Sequence, residues 1–196
     1  DIGAGNTDIG VFEGTTFLYT NSIPLGGDNI TNDIALVLNI SEEEADKLKR
    51  QYGLALKSFI DNDNDIILNT CKDNNKNKII KSSELIEIIE ARIQEMFSII
   101  NKDITNQGLK QKINNVVLTG QGIVNINKSD VAGKINLNIP VKISTGRAIS
   151  TVKPIYRTSY ALVRYIAARP FAKTVSSSID TQMKNIWERI KEFFYS

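Results

Sequence analysis

Apolar residues along this chain switch between strand spacing and helical spacing, and the switches mark out its elements. Asp8-Ile9-Gly10-Val11-Phe12 and Thr15-Thr16-Phe17-Leu18-Tyr19-Thr20 are β-branched and aromatic on both sides of Glu13-Gly14, which predicts a β-hairpin. After Ile23 the chain turns on Gly26-Gly27, and Ile30, Ile34, Val37 and Leu38 then share one helical face. A second helix follows, with Ser41 and Glu44 at capping-box spacing, Ala45 and Leu48 inward, and Gly53 as its stop. Residues 56–81 hold two short apolar runs, Ser58-Phe59-Ile60 and Ile66-Ile67-Leu68, separated by Asp/Asn turn chemistry. Ser83 opens a long helix with Ile86, Ile89, Ile93, Met96, Phe97 and Ile100 at helical spacing.

Val116-Val117-Leu118-Thr119 reads as a buried strand that runs into Gly120-Gln121-Gly122. Residues 137–143 predict a closing strand. Residues 154–168 predict a closing helix with Tyr156, Tyr160, Val163 and Ala167 inward. Periodicity is lost over residues 169–181, which read as a linker. It returns in residues 182–196, where Met183, Ile186, Trp187, Ile190, Phe193 and Phe194 form one apolar face. Such a terminal helix either folds back on its own core or lies on a membrane surface, and the preceding linker and the aromatics favour the membrane.

Composition removes whole classes of chemistry. The 196 residues carry a formal charge of +2 and no histidine, which excludes histidine-based nucleophile systems and the usual zinc sites. That charge also lacks the basic excess of a nucleic-acid binder, so no nucleic-acid partner is expected. Cys71 is the single cysteine, so no intramolecular disulfide forms. No run is long and apolar enough to span a bilayer. The Asp61–Asp65 alternation resembles a calcium loop, but Ile66 and Lys72 stand where that loop needs glycine and glutamate, so calcium is not expected.

The start, Asp1-Ile2-Gly3-Ala4-Gly5-Asn6-Thr7, lacks both the Gly-Lys-Ser/Thr of a Walker loop and the third glycine of a dinucleotide fingerprint. Its small residues would let backbone amides approach an anion, with Asp1 holding Mg²⁺ through water. The alternative is a tight bend with solvated aspartates. A chain opening on Asp1 inside such a motif is expected to be a piece of a longer polypeptide.

This turn, then Gly26-Gly27-Asp28-Asn29-Ile30-Thr31-Asn32-Asp33-Ile34-Ala35, then Leu118-Thr119-Gly120-Gln121-Gly122, together resemble the actin-like ATPase superfamily, and within it the FtsA family of bacterial cell-division proteins, over the family's second half. The resemblance implies an α/β fold: actin-like (ribonuclease H-like) ATPase domain II with a smaller α/β subdomain inserted, and a C-terminal amphipathic helix. It places the nucleotide-facing subdomain at residues 1–30 and 116–168 and the inserted one at 31–115.

The resemblance also implies an ATP and Mg²⁺ site. Gly3, Gly5, Asn6 and Thr7 would stand near the phosphates and Asp1 towards Mg²⁺. Gly26 and Gly27 would approach at a helix start, Asp46 and Lys49 would face ribose and adenine, and Gly120, Gln121 and Gly122 would line the adenosine side. Asn6, Asp46 and Gln121 depart from the family's usual residues, implying at most a weak ATPase in a protein that chiefly tethers and scaffolds.

Arg92 and Glu95 fall where the family receives the C-terminal tail of FtsZ. Arg92 either holds that acidic tail or pairs with Glu95 in its own helix. Self-association into an actin-like polymer and attachment at the cytoplasmic face of the membrane, at the division site, complete what the resemblance implies. The tail helix is near neutral, with three basic residues against Glu188, Glu192 and its end. Its six apolar side chains would contribute at most about 1.5–3 kcal/mol each if fully buried, so one copy binds reversibly and a polymer binds firmly. A sugar- or acetate-kinase-like enzyme, or a pilus-assembly adaptor, are the other readings of the same fold.

Overall fold

A computed structural model describes residues 1–68, 78–144 and 157–168. The chain forms two compact units, Asp1–Ser144 and Thr145–Ser196. The linker and amphipathic helix expected over residues 169–196 lie outside the described residues.

The first unit opens with β1 (Thr7–Glu13) and β2 (Thr16–Ile23), an antiparallel hairpin in which Thr7 faces Ile23 and a bulge falls between Val11 and Phe12. Gly14 takes φ +60 in its turn, a conformation that favours glycine. Helix α1 (Gly27–Leu38) buries Ile30, Thr31, Ile34, Ala35 and Leu38. Its apolar stripe extends to the Thr31/Ala35 side, so Val37, expected inward, is 64% exposed.

Helix α2 (Glu42–Tyr52) starts as its sequence predicts: the Glu44 amide donates to Ser41 Oγ at 3.2 Å. Three glutamates in the first turn and Lys49 and Arg50 in the last match the helix dipole. Ser58 and Phe59 belong to a 3₁₀ turn (Lys57–Phe59) rather than a strand. The second apolar run forms β3 (Asp65–Leu68), antiparallel to β4 (Lys78–Lys81).

Helix α3 (Ser82–Asn106) is the longest element. Asp63 caps it by accepting from the Ser83 amide at 2.9 Å and from both the Ser82 and Ser83 hydroxyls. These bonds hold the Asp63 carboxyl below its ordinary pKa. Leu85, Ile86, Ile89, Ile93, Met96, Phe97 and Ile104 are buried, and Ile100 is half-buried.

Strands β5 (Val116–Leu118) and β6 (Val141–Ile143) run parallel, with α4 (Ser129–Leu137) between them. The expected strand from residue 137 is therefore only its last three residues. Leu137 ends α4, and Asn138 takes a left-handed conformation. Gly133 hides α4 in the sequence, because a mid-helix glycine lowers propensity. It is required by packing: a Cβ there would lie 3.0 Å from the Phe97 ring.

One buried cluster runs through α1, α2, α3 and the β5–α4–β6 unit, including Ile30, Ile34, Ile89, Ile93, Phe97 and Leu137. In the second unit α5 (Arg157–Ala167) is described; Tyr160 is half-buried, whereas Val163 and Ala167, expected inward, are exposed. No described helix is long and apolar enough to cross a membrane.

Candidate phosphate-binding corner

Three glycine turns meet at one end of β1 and β5. Ile2 bridges them: it pairs with Thr7 across the first loop, donates its amide to the Thr119 carbonyl at 2.9 Å, and accepts from the Gly122 amide at 2.9 Å. Helix α1 then docks its first amides on the same loop, Gly27 to the Gly3 carbonyl at 2.9 Å and Asp28 to the Ala4 carbonyl at 2.8 Å.

The glycines are needed because backbone packs on backbone here. A Cβ on Gly26 would lie 2.3 Å from the Ala4 oxygen, one on Gly27 2.6 Å from Gly122 Cα, and one on Gly122 2.1 Å from the Gly3 oxygen. Gly120 adds a left-handed φ of +93 and a Cβ position 2.2 Å from the Ile2 oxygen. Gly3, Gly26, Gly27, Gly120 and Gly122, separated by up to 119 positions in sequence, thus form one corner.

The two ends of the corner differ in what they offer an anion. At the start of α1 the amides of Gly26, Gly27 and Asp28 are already spent on Asn29 Oδ1, the Gly3 carbonyl and the Ala4 carbonyl. These three amides are therefore not free to receive an anion. At the tip of the first loop, the amides of Ala4, Gly5 and Asn6 have no protein acceptor among the described residues. These three residues are exposed, and a Cβ on Gly5 would meet nothing within 4 Å. Free amides on an open tip above a rigid base suit a polyanion.

Two side chains expected to touch nucleotide bond within the protein instead. Thr7 is buried and its hydroxyl donates to the Leu25 carbonyl at 2.7 Å. The Asn6 side-chain amide donates to both carboxylate oxygens of Asp8 at 3.0 Å. The Asp1 carboxylate is exposed beside Gly120, with no hydrogen-bond donor among the described residues. Among those residues no cluster of three acidic, Cys or His ligands occurs.

Helix α2 reaches the corner through Lys49. Its ammonium donates to the Gly27 carbonyl at 3.1 Å and to Thr31 Oγ1 at 2.5 Å, and pairs with Asp46 at 3.1 Å. Arg50 binds the other oxygen of Asp46 at 2.6 Å. Burial opposes the charge on Asp46, but the bonds from Arg50 and Lys49 outweigh it and hold the carboxyl below its ordinary pKa. Gln121 is exposed at the far side of the corner.

Arg92 lies elsewhere, on α3. Its guanidinium makes two bonds to Asp33 of α1, at 2.5 and 2.8 Å, and a third to Glu95 at 2.5 Å. The bonds to Asp33 raise its pKa above the ordinary arginine value against the effect of partial burial. The sequence reading identified Glu95 and missed Asp33 and Thr31, whose partners lie 59 and 18 positions away and leave no local spacing to read.

The family model described as cell division protein FtsA matches residues 1–164. Cell division protein FtsA of Bacillus subtilis (strain 168) is 32% identical over 165 residues, covering 84% of this chain and 37% of that protein. The Escherichia coli (strain K12) FtsA is 27% identical over 214 residues, covering 98% of this chain and 50% of that protein. The chain thus spans half or less of the length of these relatives. Among solved structures, MreB5 of Spiroplasma citri bound to ADP superposes with a TM-score of 0.67 at 19% identity, over 92% of this chain and 54% of that one. The MamK double helical filament gives 0.65 at 16% identity, over 87% of this chain and 54% of that one. At these identities the likeness is one of fold, and the fold is actin-like.

Proposed function

Because this chain belongs to the FtsA family of cell-division proteins, we propose that it is the nucleotide-facing second half of a division scaffold that binds ATP with Mg²⁺, polymerises like actin and tethers FtsZ to the cytoplasmic face of the membrane. The observation that carries the reading is the glycine corner, where unpaired amides at Ala4, Gly5 and Asn6 project from a base fixed by Gly3, Gly27 and Gly122. Those amides would hold the terminal phosphates, and Asp1 would hold Mg²⁺ through water. Gly120, Gln121 and Gly122 would line the adenosine side, with Asp46 and Lys49 facing ribose and adenine.

The bound nucleotide supplies charge and bulk that fix the cleft; this chain's residues bind and orient it. Turnover in this reading is at most weak, and the output is assembly. Residues 31–115 are read as the smaller outer subdomain, with Arg92 and Glu95 receiving the acidic FtsZ tail. The apolar face from Met183 to Phe194 would rest on lipid.

Vesicle co-sedimentation of the full-length protein with MgATP and the FtsZ tail peptide, at a speed that pellets vesicles but leaves protein polymer in solution, tests this. The expected result is that peptide pellets with protein and vesicles, and that deleting residues 182–196 removes both from the pellet. Equal pelleting after that deletion contradicts the tether, and peptide left in the supernatant contradicts the FtsZ link.

A further inference from the structure

A cleft of about 640 Å³ opens where the end of α2, the start of α3 and the residues just before α4 come together, and it shares no lining residue with the glycine corner. Leu54, Ile60 and Ile86 give it an apolar lining. Asn62, Asn64 and Asn127 line it with side-chain carboxamides that have no hydrogen-bond partner among the described residues. Asn127 is fixed through its backbone, donating its amide to the Gly53 carbonyl at 3.0 Å and accepting from the Ala55 amide at 2.9 Å. A concave site of this size with a few convergent polar groups suits a ligand.

Lys128 is the cation of this cleft, and its backbone is strained. It takes φ +61, a left-handed conformation that lysine rarely adopts, and its ammonium lies over the exposed Phe59 ring, 4.9 Å from the centroid. The carboxylates nearby are spent on other partners: Glu87 on Lys57, Asp65 on Lys81, and Asp63 on Ser82 and Ser83. Lys128 itself pairs with no carboxylate among the described residues. The cleft is also polar from side to side. Asp61 is the one acid in its lining, and the carbonyls of Gln51 and Tyr52, at the negative end of α2, accept no backbone amide from outside the helix. Strain held at a charged residue over a cleft points from geometry to function.

We propose that this cleft receives an extended peptide segment of a partner protein, with an acidic side chain of that segment on Lys128 and its backbone groups on the carboxamides of Asn62, Asn64 and Asn127. A carboxamide offers one acceptor and two donors, so three of them match the alternating N–H and C=O groups of an extended chain. Apolar side chains of the same segment would cover Leu54, Ile60 and Ile86. A single cation opposed by Asp61 and by helix-end carbonyls complements a segment with one carboxylate and free N–H groups, and disfavours a polyphosphate. Arg92 takes no part in this site, so the inference stands apart from the FtsZ reading and from the nucleotide reading.

The test pans a phage-displayed library of random dodecapeptides on the full-length protein in the presence of excess FtsZ tail peptide and MgATP, and measures the enriched peptides by fluorescence anisotropy. Lys128→Gly removes the ammonium at a position whose φ favours glycine, so its thermal melt is expected at or above that of wild type and loss of fold does not confuse the result. Enriched peptides are expected to share an acidic residue flanked by apolar ones, to bind Lys128→Gly at least tenfold more weakly, and to recover most of that loss in Lys128→Arg. Asn127→Ala should weaken them several-fold. Affinity for MgATP and for the FtsZ tail should be the same in all these variants and wild type. A library that yields no enriched peptide overturns the proposal. So do enriched peptides that bind Lys128→Gly as tightly as wild type, or that ATP alone displaces.

Discussion

Gly122 packs so closely beneath Gly3 that a Cβ on it would lie 2.1 Å from the Gly3 carbonyl oxygen. The obstructing atom is backbone, in a loop that also anchors α1, so it has little freedom to yield. Gly122→Ala should cost on the order of 1–3 kcal/mol or more, as overpacking does in a tight site. By contrast Gly5 has open space around it, and Gly5→Ala should stay within about 0.5 kcal/mol of wild type. Denaturant titration of the two variants checks the difference; equal stabilities would mean that the corner is not packed as described.

Lys49 joins three groups at once: the Gly27 carbonyl, the Thr31 hydroxyl and Asp46. Its side chain is only 13% exposed, so Lys49→Met strands partly buried polar partners. A loss of about 1–3 kcal/mol is expected, together with weaker nucleotide binding. Arg50 shares Asp46 but is 63% exposed, and Arg50→Met should cost less than about 1 kcal/mol. Unfolding curves and fluorescent-nucleotide titration of both variants check this ordering.

Asp46 provides the pH test. Its carboxyl pKa is lowered on folding, since the bonds from Arg50 and Lys49 outweigh the cost of burial. The folded state therefore gains stability from Asp46 above the ordinary aspartate pKa and loses it as pH falls through the lowered folded value. The stability gap between wild type and Asp46→Asn should be constant at neutral pH and should close in the acid range below pH ~4. A gap that widens on acidification would contradict the assigned direction.

Asp33 occupies two of the donors on Arg92. An acidic peptide that binds Arg92 must compete with it. Asp33→Asn should therefore tighten the FtsZ tail several-fold while lowering stability by about 1 kcal/mol, and Arg92→Glu should abolish tail binding. Peptide anisotropy with the full-length variants reads both; unchanged affinity in Asp33→Asn would place the tail elsewhere.

What the sequence made legible follows a physical line between local and distant signals. The Ser41 cap, the apolar stripes of α1 and α3 and the hairpin at Glu13-Gly14 are local, and they are present as expected. The meeting of Gly3, Gly27, Gly120 and Gly122 was legible through family resemblance, because the motif order carries the geometry that no single motif does. Helix α4 was missed because Gly133 lowers its propensity while serving contact with Phe97. Side-chain direction was least legible: Thr7 and Asn6 sit in the loop as expected but turn to Leu25 and Asp8, choices fixed by neighbours distant in sequence or on the other face of the turn. The pairing of the α1 amides was not legible either: orphan helix-start donors invite a ligand only when no carbonyl already meets them, and here Gly3 and Ala4 do.

The central claim is that the amides of Ala4, Gly5 and Asn6 hold phosphate, and those of Gly27 and Asp28 do not. Hydrogen exchange of the full-length protein, followed at single-amide resolution with and without MgATP, addresses it directly. The account predicts fast exchange at Ala4, Gly5 and Asn6 that slows at least tenfold on adding MgATP, with Gly27 and Asp28 already protected in its absence. Nucleotide binding that leaves exchange at the loop tip unchanged would contradict it.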